Sequence, residues 1–234
     1  MRICAIFILF YSPFLSFGVS LYPKKGLTIT KQDFRLSAKA RLNQRSIYGY
    51  FADKSLNRFL LTYLQAKSVR NILVYMPFGN EVDIFPLICK LRKKKYRVFV
   101  PFIQELSFKM IPLRMPFHKN KYGIYESNNS TFKLIKVDAV IIPVLGIDKH
   151  FRRIGFGRGM YDRFMSHLKG KVHTIFVARS PNYAASVITE HYDVQGDCFF
   201  TPSALCIRKH NGSMVCNRKH NLWVISRREC ISHQ

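Results

Sequence analysis

The chain has 234 residues, enough to bury a core without metals or disulfide staples, and its 48% hydrophobic and 22% charged residues exclude wholesale disorder. Against that ordinary background stand 38 Lys+Arg and only 13 Asp+Glu, a formal charge of +25 that draws anions: nucleic acid, acidic membranes or polyphosphate substrates. The excess is spread out, with 29 basic and 12 acidic residues in 27–202 and 9 against 1 in the two ends.

Residues 1–22 form an almost uncharged apolar run, interrupted by Pro13 and too short for an unbroken spanning helix. Two readings stay open there. Arg2 and Ile3–Tyr11 resemble the n- and h-regions of a signal peptide; alternatively residues 1–26 are an inert extension. From Thr30 the pattern turns helical. Thr30 with Asp33 reads as a helix start, and Phe34, Ala38 and Leu42 make one stripe as far as Gln44. Lys31 and Arg35, four apart, share a face, where like charges repel unless an anion lies between them.

Leu56–Ala66 is a second amphipathic helix, and Asn71–Met76 a buried strand running into Pro77, Gly79 and Asn80. Helix is expected at Ile84–Leu91 and strand at Tyr96–Val100, Phe108–Leu113 and, most clearly, Val137–Leu145. Tyr161–Leu168 returns to helix and Val172–Ala178 to strand. This alternation implies an α/β fold with a mostly parallel sheet covered on both faces, whose ligands sit beyond the carboxyl ends of the strands, just after Met76 and Leu145. Glu81 falls in that crevice, where a carboxylate accepts hydrogen bonds from a heterocycle's N–H groups; at a helix start it is equally an ordinary first-turn acid.

The most informative segment is Arg153-Ile-Gly155-Phe-Gly157-Arg-Gly159-Met-Tyr161-Asp162-Arg163. Glycines at alternate positions let backbone N–H groups converge on one anion, the following helix adds its positive end, and Arg153 and Arg158 bring full charges. The segment suits phosphates, yet it matches neither the Walker A nor the Rossmann spacing.

Residues 203–234 read as a flexible basic tail with an internal repeat, CIRKHN at 206–211 and CNRKHN at 216–221. A zinc site on its Cys/His pairs is disfavoured by the spacing, and Trp223 is a lone aromatic there. Six cysteines without a CxxC pair suit a reducing compartment better than a disulfide scaffold.

Taken in order, K-x-x-x-R on the opening helix, N-E-V-D after a strand, P-V-L-G-I-D, the R-I-G-F-G-R-G-M-Y-D-R string and Asp193-x3-Asp197 resemble the 5-formyltetrahydrofolate cyclo-ligase (methenyltetrahydrofolate synthetase) family over about Thr30–Pro202. The chain departs from the family pattern at Lys149-His-Phe-Arg152, where a glycine is usual, at Ser127 in place of proline, and at Met160, where tyrosine is common. The resemblance implies a three-layer, Rossmann-like α/β sandwich over 27–202 and ATP-driven closure of 5-formyltetrahydrofolate to 5,10-methenyltetrahydrofolate. It implies ATP contacts at Lys31, Arg35, Arg153, Ile154, Gly155, Phe156, Gly157, Arg158, Gly159, Met160 and Tyr161, with Lys31, Arg35, Arg153 and Arg158 as the catalytic cations. It implies Mg2+ at Asp162 and Asp193, and folate at Met76, Glu81 and Phe156–Met160. A cytoplasmic monomer needing neither nucleic acid nor membrane is the matching expectation. The competing readings are a basic nucleic-acid-binding α/β protein without catalysis and a family relative with weak turnover.

Overall fold

The computed structural model describes residues 29–43, 49–129, 136–168 and 170–218. In chain order the elements are α1 (Lys31–Asn43), α2 (Gly49–Ala66), β1 (Asn71–Leu73), α3 (Phe85–Lys93), β2 (Arg97–Gln104), β3 (Ser107–Pro112), β4 (Phe117–Lys119), β5 (Tyr125–Ser127), β6 (Ala139–Pro143), β7 (Gly146–Asp148), β8 (Arg153–Ile154), α4 (Met160–His167), β9 (His173–Val177), β10 (Tyr183–Ala184), β11 (Cys198–Phe200), β12 (Ala204–Arg208) and β13 (Met214–Arg218). The apolar stretch at 1–22 and the end of the tail, with His220 and Trp223, lie outside the described residues.

Alternation along the central strands divides the core in two. Ile72, Val98, Val100, Ala139, Ile141, Ile175 and Val177 point to one face, where Leu56, Leu60 and Leu64 of α2 and Leu87, Ile88 and Leu91 of α3 cover them. The intervening Leu73, Phe99, Val140, Ile142, Phe176 and Phe199 point to the other, where they meet Phe151 and Val194 and the half-buried face of α4. These strands are apolar on both sides, as expected for a sheet sandwiched between two layers.

The main sheet has eight strands in the order β13-β12-β11-β9-β6-β1-β2-β3. The central pairings, β2 to β1, β1 to β6, β6 to β9 and β9 to β11, are parallel. Antiparallel partners close both edges, β3 on β2 and the β12–β13 hairpin on β11. A three-stranded sheet, β10-β7-β8, carries α1 through Phe34, Ala38, Leu145, Ile154 and Ala184. No helix among the described residues is long and apolar enough to cross a membrane.

The structure corrects the tail. Residues 204–208 and 214–218 are edge strands of the main sheet, with Leu205 and Cys206 buried on opposite faces. The internal repeat of the expected flexible tail places Cys206 opposite Cys216, and the two form a disulfide. The pairing removes both thiolates from any zinc site and runs against the expected reduced state of the cysteines. Helix α2 also begins seven residues before Leu56; its early turns carry the buried polar residues Asp53 and Asn57, which break the apolar stripe.

Deleting everything after Ser203 strips two strands from β11 and exposes Phe199 and Phe200 at the edge. It is predicted to lower Tm by more than about 5 °C, and an unchanged melting curve would contradict the hairpin's place in the sheet. Within the hairpin, Leu205→Ala should cost about 2–3 kcal/mol in denaturant unfolding.

Candidate active site

At the carboxyl ends of the parallel strands lies a crevice of about 640 Å³, within the range of small-molecule sites. Its floor is Tyr75 and Met76 after β1 and Pro143 at the end of β6; Pro101 and Ile103 of β2 and Phe108 of β3 extend it. The β4–β5 hairpin contributes Tyr122, Ile124 and Glu126, helix α1 contributes Lys39 and Leu42, and the glycine segment contributes Arg153, Phe156 and Arg158–Tyr161.

The glycine segment is shaped by what holds its two ends. Arg153 is 5% exposed and donates through Nε and Nη2 to the two oxygens of Asp162, at 2.9 and 3.0 Å. Its guanidinium also lies over the Tyr161 ring. From α1, Arg35 Nε donates to the Gly155 carbonyl at 2.9 Å and Lys39 Nζ to that of Phe156 at 3.4 Å. Between these anchors the N–H groups of residues 155–159 donate to no acceptor among the described residues, and the first amides of α4 follow, as at any helix start. Gly157 has φ +117° with open space where a Cβ would stand, whereas a Cβ on Gly155 would sit 2.7 Å from Arg153 Nη2. One glycine serves backbone conformation, the other close approach. Arg158 reaches across the crevice mouth and stacks on the Tyr122 ring, 4.6 Å from its centroid.

The segment opposite is equally fixed. Four consecutive carbonyls, Asn80 to Asp83, each accept a side-chain hydrogen bond. Arg179 donates to Asn80 O and Glu81 O, Tyr75 Oη to Val82 O at 2.7 Å, and Asn57 Nδ2 to Asp83 O at 2.8 Å. Arg179 is itself held by Asp53 at 2.9 Å. An irregular stretch with its backbone so fully accounted for is rigid, and it carries Glu81 into the crevice. Burial pushes the Glu81 carboxyl up to about 7, opposed only by a hydrogen bond from the Phe78 N–H.

The expected site residues divide accordingly. Met76, Glu81, Arg153, Phe156, Arg158, Gly159, Met160 and Tyr161 line the crevice. Arg35 acts on the loop's backbone. Lys31 is paired instead with Asp193, its Nζ 2.6 and 2.5 Å from the two carboxylate oxygens, and Asp193 also accepts the Glu190 N–H.

That arrangement bears on the metal. Asp162 accepts Arg153 and the Val194 N–H, Asp193 accepts Lys31 and the Glu190 N–H, and no cluster of three or more His, Cys, Asp or Glu among the described residues is arranged for a metal ion. Carboxylates whose lone pairs are committed to ion pairs and amides do not fit the expected pair of Mg2+ ligands.

Several crevice residues escaped the sequence reading, among them the polar Lys39, Tyr122 and Glu126. Lys39 continues the Lys31–Arg35 stripe by one more turn and was legible at that spacing. Tyr122 and Glu126 carried no local signal; Glu126 is 4% exposed and accepts from the Ile103 N–H and Asn120 Nδ2, both at 2.9 Å. The departures from the family pattern also find their reasons. Phe151 adopts φ +58°, a conformation glycine takes cheaply, and its ring is buried in the core. Ser127 is buried, and its Oγ accepts the Arg114 N–H at 3.0 Å.

Glu81 titrates at its ordinary 4.5 in the unfolded chain and at about 7 in the folded one. Between those values the unfolded chain releases a proton that the folded protein retains, so stability falls as pH rises across that window. Glu81→Gln removes the effect. Its Tm is predicted to exceed that of the unsubstituted protein at about pH 8 and to converge with it toward about pH 4.5. An equal difference at both ends would contradict burial of this carboxyl.

The family model of the 5-formyltetrahydrofolate cyclo-ligase family matches residues 30–202. A Haemophilus influenzae protein named 5-formyltetrahydrofolate cyclo-ligase is 25% identical over 166 residues, covering 67% of this chain and 88% of its own length. One of the same name from Mycoplasma genitalium is 29% identical over 136 residues, with 56% and 73% covered. The solved structure of the Aquifex aeolicus 5,10-methenyltetrahydrofolate synthetase superposes with a TM-score of 0.64 at 22% identity, covering 76% of this chain and 92% of that one, and shares the fold. With a crevice lined by a glycine-rich segment and a half-buried carboxylate, and a family-model match across most of its length, the chain belongs to the 5-formyltetrahydrofolate cyclo-ligase family.

Proposed function

We propose that this crevice performs the reaction for which the family is named, with 5-formyltetrahydrofolate and ATP as substrates and 5,10-methenyltetrahydrofolate, ADP and phosphate as products. The observation that carries the assignment is the run of amides at 155–159, without acceptors among the described residues, in a loop whose Phe156, Arg158 and Gly159 line a slot that Glu81 also lines. Phosphates are held by such amides and by the positive end of α4, and the pteridine's N–H groups by a carboxylate.

A formyl oxygen is a poor leaving group, so it takes the γ-phosphoryl of ATP first. N10 then attacks the formyl carbon, the new C–N10 bond forms, the C–O bond breaks, and the oxygen departs in phosphate while N10 gives up its proton. Such a sequence asks for positioning and charge neutralisation rather than a protein nucleophile. Arg158 supplies full charge at the crevice mouth, and Arg35 and Lys39 set the loop from behind. Lys31 and Arg153, paired with Asp193 and Asp162, act as positioning residues. Magnesium belongs to this reading only as part of the Mg–ATP substrate. The product is a cation delocalised over N5, carbon and N10, and the carboxylates of Glu81 and Glu126 in the crevice wall are suited to face it. On this reading the protein acts as a monomer on two small-molecule substrates.

The decisive assay follows methenyltetrahydrofolate absorbance on mixing the protein with Mg–ATP and 5-formyltetrahydrofolate. A rise that requires ATP is expected, and its absence would overturn the assignment. Gly157→Ala forces a Cβ onto φ +117° between the crevice-lining Phe156 and Arg158, and should lower kcat by about 100-fold, about 2.7 kcal/mol, with the fold retained. Glu81→Gln should raise KM for the folate and leave that for ATP unchanged. In the unsubstituted protein folate affinity should increase as pH rises through about 7, where the carboxyl ionises, and this inflection should vanish in the variant.

A further inference from the structure

The crevice uses few of the chain's cations, and many of the rest gather at the opposite end of the sheet. Strands β9, β6, β1 and β2 are adjacent and parallel, so their amino ends lie in a row. Each is preceded by exposed cations: Lys171 before β9, Lys136 before β6, Arg70 before β1, and Lys94 and Lys95 before β2, which itself begins at exposed Arg97. At the usual strand spacing this row spans roughly 14 Å. The last turn of α3 adds Lys90, Arg92 and Lys93.

The acids at this end are engaged within the protein. Asp138 accepts the N–H groups of Arg70 and Asn71 at 2.9 and 2.8 Å, and Asp197 is held by Arg208 and the Thr174 N–H. Lys95 sits at φ +62°, just past the end of α3, where glycine is the cheap choice; the chain keeps a cation there against backbone preference. Within the row lies a cleft of about 380 Å³ lined by Gln65, Ser68, Val69, Arg70, Lys94 and Tyr96.

We infer that this end of the sheet is a docking face for single-stranded nucleic acid, separate from the crevice. Cations in a row longer than one nucleotide match a phosphate backbone, the part of Tyr96 left exposed in the cleft wall, the rest being packed on the core, offers contact to a base, and Gln65 and Ser68 offer hydrogen bonds. The exposed large apolar side chains of the described residues all lie outside this cleft and cation row, and a membrane-anchoring surface needs such groups.

The test is fluorescence anisotropy of the full-length protein with a labelled single-stranded oligonucleotide of about a dozen nucleotides. Neutralising about four phosphates should give a slope near −3 in log K against log salt. The triple variant Arg70→Gln, Lys94→Gln, Lys95→Gly should lose at least about tenfold in affinity and about two in slope. Its ring-closing activity should be unchanged, and Lys95→Gly alone should melt no lower than the unsubstituted protein because glycine relieves φ +62°. Excess ATP should leave the complex intact. The inference is overturned by no binding at about 50 mM salt, by displacement with ATP, by a triple variant that binds as before, or by binding to anionic phospholipid vesicles but not to the oligonucleotide.

Discussion

The buried ion pair between Arg153 and Asp162 is the constraint on which the crevice depends. It ties together two residues nine apart, so the eight between them must leave and return over a short span, and glycine is needed to turn that tightly. Removing one partner would strand the other charge in the core, a loss of about 3–5 kcal/mol. Helix α1 then decides which way the backbone faces. With the carbonyls of Gly155 and Phe156 held by Arg35 and Lys39, the amides are what the loop has left to offer. Cations on α1 thus serve an anion site by binding the loop's negative ends.

A similar division of labour positions Glu81. The Arg179–Asp53 pair and the Tyr75 and Asn57 side chains hold the backbone on either side of it, leaving its carboxyl to face the slot. Burial keeps that carboxyl half-protonated near neutral pH, an expense of stability that a ligand's N–H groups relieve by favouring the charged form. Rigidity comes from residues far apart in sequence, and chemistry from the group they present.

How much of this was legible depended on how local each signal was. The glycine segment carries its phosphate-binding pattern within eleven residues, and the parallel core strands announce themselves as apolar runs, so the centre of the sheet and the crevice beyond Met76 followed from the sequence, whereas the second expected position, just after Leu145, is the buried strand β7. The fate of individual charges did not. Lys31 and Arg153 read as phosphate cations and Asp162 and Asp193 as metal ligands, yet they pair with one another across as many as 162 positions, a choice no local pattern encodes. Arg179, Tyr122 and Glu126 were silent for the same reason. The terminal hairpin was misread because its strands alternate apolar residues with cations, which resembles a solvated tail until β11 supplies an edge to pair with.

Backbone amide hydrogen exchange with and without a non-hydrolysable ATP analogue tests the central claim most directly. Protection should rise at residues 155–159 and in the first turn of α4, where the amides lack acceptors among the described residues, and stay unchanged at Arg70 and at Lys94–Arg97. Nucleotide-dependent protection that leaves 155–159 untouched and appears elsewhere would show that the glycine segment is not the phosphate cradle.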